Sequence, residues 1–79
     1  MTSIPIIDIK QTGRKINQLR IENNLSVKDL QKVFGFTTPQ AIYKWQQGTA
    51  LPSLDNLVVL SEIFDVAIEE ILYITKNEI

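Results

Sequence analysis

Apolar residues recur at helical spacing along most of the chain, and polar capping groups interrupt them at short intervals. Ile9, Ile16 and Leu19 lie near one face of a first helical stretch, with Thr12 and Gly13 between them. Asp8 reads as its N-cap, with Gln11 three residues on as the second half of a capping box. Asn23-Asn24 closes it, because asparagine tolerates the left-handed conformation a C-cap needs. Val27, Leu30 and Phe34 then repeat at i, i+3 and i+7, with Val33 beside them; Ser26 and Asp29 form the capping pattern, and Gly35 ends the helix. A third helix starts at Thr37 or Thr38, carries Pro39 in its first turn where a missing N–H costs nothing, and stops at Gly48. Ser53 opens a fourth, in which Leu54, Leu57, Val58, Leu60, Ser61 and Phe64 alternate between core and partly covered positions until Asp65 breaks it. A fifth runs from about Ala67 to Ile74, with Ile68, Ile71 and Leu72 inward. No stretch reads as a strand. The pattern predicts an all-α fold: a compact five-helix domain over residues 8–75, an N-terminal arm at 1–7 containing Pro5, and a C-terminal tail at 76–79.

The third helix divides its surface sharply. At 100° per residue, Ala41, Ile42 and Trp45 fall on one side, while Gln40, Tyr43, Lys44 and Gln47 form a polar stripe on the other. The second helix precedes it across a turn of three or four residues that contains Gly35, which is the sequence form of a helix-turn-helix. A helix of this kind fits the major groove, where base edges carry distinct donor and acceptor patterns. Glutamine can read adenine by two hydrogen bonds, lysine can donate to guanine or phosphate, and tyrosine offers a ring to the thymine methyl. Residues at the helix start, here Thr38 and Gln40, reach bases most readily. Trp45 shares its face with Ala41 and Ile42, so it belongs to the core.

Composition narrows the chemistry. The 79 residues suit one small domain with a modest core, to which self-association would add stability. With no cysteine and no histidine, the chain lacks disulfides, thiol chemistry, the usual zinc ligands and the usual neutral-pH proton shuttle. The carboxylates of Glu62, Asp65, Glu69 and Glu70 are spread along a helical surface, and no glycine-rich phosphate loop is present; the expectation is no enzyme, no cofactor, no metal and no small-molecule ligand. No apolar run approaches the ~18 residues of a membrane span, and MTSIPIIDIK lacks the basic start of a signal peptide, so a soluble cytoplasmic protein is expected. Net charge is −1, but residues 1–48 hold seven Lys/Arg against three Asp/Glu, and residues 49–79 hold one against six. That division points to a basic working half and an acidic supporting half.

GFTTPQAIYKWQQGTALPSLDNLVVLSEIFDVAIEEIL resembles the Cro/C1-type, or Xre-like, phage-repressor helix-turn-helix regulators. The resemblance rests on Leu19-Arg20 before an Asn-Asn turn, SVKDLQKVFG, Ile42 with Trp45 and Gly48, Pro52-Ser53-Leu54 with Leu57, and the ending from Val66 to Leu72. It covers residues 8–72 and implies a lambda-repressor-like domain that binds operator DNA, often as a dimer on a palindrome. It implies base-reading positions at Thr38, Gln40, Tyr43 and Lys44, and places Gln47, Thr49 and the first turn of the second helix near phosphates. Three positions depart from the family pattern. Pro39 stands where a polar base reader is common, Val27 stands where a glutamine commonly touches phosphate, and the turn FGFTT carries one residue more than the commonest form. A fourth departure, Gln46 in place of a glutamate, leaves Arg20 either to hydrogen-bond it or to turn to phosphate. Lys28 and Arg14 join the candidate phosphate contacts, with Lys32 one turn from Lys28 and Lys15 beside Arg14.

Two further expectations follow. The apolar ending ILYITKNEI makes Ile71, Leu72, Tyr73, Ile74 and Ile79 a candidate homodimer seam through the C-terminal helix; alternatively Ile71 and Leu72 are core and the tail packs loosely. A two-fold dimer would set two third helices about 34 Å apart, one turn of DNA. The function expected is sequence-specific binding of double-stranded DNA by a small transcriptional regulator that represses by operator occlusion, since a chain of this length leaves no room for an effector domain. The alternative is a protein-interaction module of the same fold, antitoxin- or antirepressor-like, with weak or no specific DNA binding.

Overall fold

Capping groups set the helix boundaries almost where the sequence places them. The computed structural model describes residues 3–78; Met1 and Thr2 of the expected arm and Ile79 of the expected tail lie outside the described residues. The order is β1 (Ser3–Ile7), α1 (Ile9–Glu22), α2 (Val27–Phe34), α3 (Gln40–Gln47), α4 (Leu54–Phe64), α5 (Ile68–Ile71) and β2 (Ile74–Glu78). Asp8 accepts from the Gln11 N–H at 3.0 Å, but the Gln11 side-chain oxygen accepts from Arg14, so the expected capping box is only half formed. Ser26 and Asp29 close theirs fully, with bonds of 3.0 and 2.8 Å. Ser53 accepts from the Asn56 N–H, and Asn24 and Asp65 take the left-handed conformation after α1 and α4.

Among the described residues, nine apolar side chains make the core: Ile16 and Leu19 of α1, Leu30 of α2, Ile42 and Trp45 of α3, Leu57, Leu60 and Phe64 of α4, and Ile71 of α5. Gly13 permits a close approach beside it. A Cβ there would collide with the Trp45 carbonyl oxygen, so only glycine lets α1 lie flat on α3. The contact is reinforced by Arg20, whose guanidinium donates to Gln46 Oε1 (3.2 Å), the Leu25 carbonyl (2.7 Å) and Asn17 Oδ1 (2.8 Å). Of the two courses open to Arg20, the structure takes the internal one. Val33, Leu54 and Val58 are more than half exposed, outside the core to which their helical spacing brings them close.

The all-α expectation needs correction. β1 and β2 form a two-stranded antiparallel sheet, with Ser3 opposite Glu78, Pro5 opposite Lys76 and Ile7 opposite Ile74. The residues read as arm therefore pair with those read as tail, and with Ile74 and Thr75 at the end of the expected domain. The fifth helix is also shorter than expected: it ends at Ile71, Leu72 is extended, and Tyr73 is drawn into the ribbon. The cause is a buried hydroxyl. Thr12 is fully buried on α1, and its Oγ1 accepts the Tyr73 N–H at 2.9 Å, while the Asp8 N–H donates to the Tyr73 carbonyl at 2.8 Å. Those bonds turn the chain away from helix and start the ladder. Of the candidate seam, Ile71 is core and Leu72 packs against it, Tyr73 and Ile74 are exposed and lead into β2, and Ile79 lies outside the described residues.

Candidate nucleic-acid interface

The turn between α2 and α3 spans residues 35–39, slightly longer than expected, and Pro39 occupies the N-cap of α3 rather than its first turn. Thr37 and Thr38 lie in this turn, both exposed. Three aromatic rings hold it. Phe34 and Phe36 stack at 5.0 Å, and both meet Trp45 edge-on, at 5.4 and 6.0 Å. Such pairs add about 0.5–1.5 kcal/mol beyond the area they bury. Trp45 is thus the anchor of α3, as its helical face implies.

With Ile42 and Trp45 buried, the opposite face of α3 is free. Thr38, Gln40, Tyr43, Lys44 and Gln47 are all exposed. Thr38, Gln40 and Lys44 share the rim of a cleft of about 370 Å³ floored by Phe36, Ala41 and Trp45. Gln40 and Lys44 are one turn apart; Tyr43 stands on the other flank of the stripe. No side chain caps the start of α3, because Pro39 has none to offer.

The candidate phosphate residues are less alike. Lys28 and Lys32 are exposed one turn apart on α2, and Arg14 is exposed on α1 with its guanidinium on Gln11. The Thr49 hydroxyl donates to the Lys44 carbonyl at 3.2 Å, closing the end of α3, so its proton is engaged within the protein. The start of α2 already holds an anion. Asp29 accepts the Ser26 backbone N–H, which with the Ser26 hydroxyl holds its carboxyl below the ordinary value of 3.8. A second anion there would meet like charge. The open start of α3 has no such competitor.

Lys10 is a residue that helical periodicity does not single out. A Cβ on Gly48, which has a φ of +73°, would lie 2.6 Å from Lys10 Cα, so the start of α1 touches the end of α3. The exposed Lys10 therefore stands beside the C-terminal end of α3, contributed by another element. Only the tertiary contact brings it there; its own helical period points nowhere in particular.

A helix-turn-helix family model matches residues 16–71. The HTH-type transcriptional activator BcrR of Enterococcus faecalis is 34% identical over 60 residues, covering 76% of this chain and 29% of BcrR. The chain thus spans under a third of that relative. Among solved structures, the DNA-binding domain of BldD superposes with a TM-score of 0.70 at 22% identity, covering 84% of this chain and 94% of that one. The restriction-modification controller protein C.AhdI from Aeromonas hydrophila gives 0.70 at 23% identity, covering 81% and 96%.

Proposed function

Because the chain belongs to the helix-turn-helix family, we propose that it binds double-stranded DNA sequence-specifically, with α3 in the major groove, and regulates transcription. The observation that carries this reading is the exposed stripe on α3, set rigidly on buried Ile42 and Trp45. Thr38, Gln40, Tyr43 and Lys44 read bases. Gln47, Lys28, Arg14 and Thr49 lie along the phosphates, and Lys10 joins them. The uncapped N–H groups at the start of α3 receive a phosphate, since a helix N-terminus favours negative charge. The named relatives support this: BcrR is described as a transcriptional activator, and the BldD domain as DNA-binding. The mode we propose is occlusion of an operator by a non-enzymatic cytoplasmic homodimer.

Selection of bound sequences from a random duplex pool, followed by titration of the winner, tests it. A recurring two-fold motif is the expected result. Gln40→Ala and Lys44→Ala should each weaken binding to it by about 1–3 kcal/mol, the worth of a good base contact. Equal losses on random DNA would sink base reading.

One observation favours the second reading, a protein-docking module of the same fold. Leu54 is 71% and Val58 55% exposed on α4, beside exposed Asp55 and Glu62. Failure to enrich any motif, with a stoichiometric protein complex, would favour that role.

A further inference from the structure

The turn before α3 puts an apolar floor where polar base readers are expected. Base contact is made most readily from the start of a recognition helix. Here that stretch carries Pro39, which offers no side-chain donor, and Ala41, with Gln40 alone between them able to hydrogen-bond a base. Phe36 lies just ahead of it. Its ring and the side chains of Ala41 and Trp45 floor the cleft whose rim carries Thr38, Gln40 and Lys44, and Ala50 lines it from the loop after α3. Although Phe36 sits in a turn, it is held in place. Its N–H donates to the Gln31 carbonyl at 3.1 Å, its carbonyl accepts from Gln31 Nε2 at 3.2 Å, and its ring stacks on Phe34. The floor therefore exists before any partner arrives, and binding bears little cost of ordering it.

We infer that this cleft reads the C5 methyl group of a thymine, with Phe36 and Ala41 as the specificity-determining residues. This rests on the reading of α3 as the recognition helix and deepens it by naming one group that is read. The two surfaces match in chemistry. Across the major groove the base edges present hydrogen-bond acceptors, N–H donors and, from thymine alone, a methyl group. A donor or acceptor pressed onto Phe36 and Ala41 loses its water and gains no partner there, which costs free energy. The methyl group has no such bonds to lose, and its contact takes apolar surface out of water on both sides. The cleft is open on its outer side. A free small molecule needs a site that buries most of its surface, whereas a duplex laid against α3 supplies the missing wall itself.

The rim says where that thymine stands. Gln40 suits an adenine, by hydrogen bonds to N6 and N7, and Lys44 one turn on suits a guanine or a phosphate. Gln40 borders the cleft, so the thymine belongs to the base pair that Gln40 reads or to the next one. Tyr43 also offers a ring to a thymine, but it is outside the cleft lining, on the other flank of α3. Substitution therefore separates the two contacts.

Deoxyuridine tests this in the DNA without touching the protein, since it pairs as thymidine does and lacks only the C5 methyl. Each thymine of the duplex selected by the wild-type chain is replaced in turn, and affinity is read by fluorescence anisotropy. One position in each half-site, within a step of a required adenine, should lose about fourfold, the worth of burying one methyl-sized group. On the protein side, Phe36→Ala removes the ring and Ala41→Val fills the space beside it. Each should bring the preference for thymine over uracil at that position to one or below, with circular dichroism showing the helices intact. Ala41→Val keeps the test decisive where Phe36→Ala loosens the turn. A selected motif in which no uracil replacement matters would overturn the inference and leave base reading standing. So would a preference that survives both substitutions, or one that is lost in Tyr43→Ala instead. Failure to select any motif would remove base reading itself, and the inference with it.

Discussion

Gly13 shows how one missing methyl group places a whole helix. The backbone of α1 touches the carbonyl of Trp45 there, and any side chain must push the two helices apart. Gly13→Ala should cost about 1–3 kcal/mol, the usual range for overpacking a tight core. For a domain of this size each kcal/mol lowers the melting temperature by about 4–8 °C, so thermal denaturation reads it directly. Asp29 makes a second prediction at this scale. Its carboxyl is held below the ordinary value of 3.8, so its contribution to the cap is complete above that pH and is lost as pH falls through the lowered value. Ser26→Ala should move the Asp29 midpoint in an NMR titration upward, toward 3.8. These local features were legible in sequence because they are local: Ser26 to Asp29, Ser53, Gly35 and Gly48 each act within one turn. Lys10 was not, because its place beside Gly48 depends on how α1 packs.

At the scale of elements, periodicity finds a helix that packs by one face and fails for a strand that pairs only with the far end of the chain. α1 to α4 appear within a residue or two of their expected bounds. Ile4-Pro5-Ile6-Ile7 shows no alternation, and its partner lies across the entire domain, so nothing in either segment marks the pairing. The hinge of this arrangement is Thr12, which the sequence shows only as a polar residue on an apolar face. Thr12→Val removes the acceptor of the Tyr73 N–H and leaves that donor without its partner. The expected result is a loss of about 1–3 kcal/mol and faster hydrogen exchange at Tyr73 and Thr75, with exchange in α3 changed less. Equal acceleration throughout would show that the ribbon does not open separately.

The whole molecule measures 45 × 23 × 20 Å, and its Cα radius of gyration is 13.2 Å. A compact chain of this length would have about 12 Å. The excess fits a helical body with a projecting ribbon. The stripe of α3 was the most legible part of the candidate site, since Ile42 and Trp45 turn it outward whatever else the fold does. The phosphate-facing residues were the least legible, because they come singly from different helices. They are best tested together through ionic strength. Removing Lys44 or Lys28 should lower the slope of log affinity against log salt by about 0.9 for each phosphate no longer neutralised. An unchanged slope would mean an ordinary solvated charge.

The bond from Tyr73 to Thr12 joins residues 61 apart and closes nearly the whole chain into a loop. Loop closure is costly for a flexible chain, and the cost falls once the helices have collapsed and brought their ends near each other. The topology therefore predicts that the ribbon forms after the core. On that expectation, a chain whose helices are not yet packed keeps its two ends apart, with no ribbon between them. The ribbon would then be a clasp, fastened last and only over a finished interior.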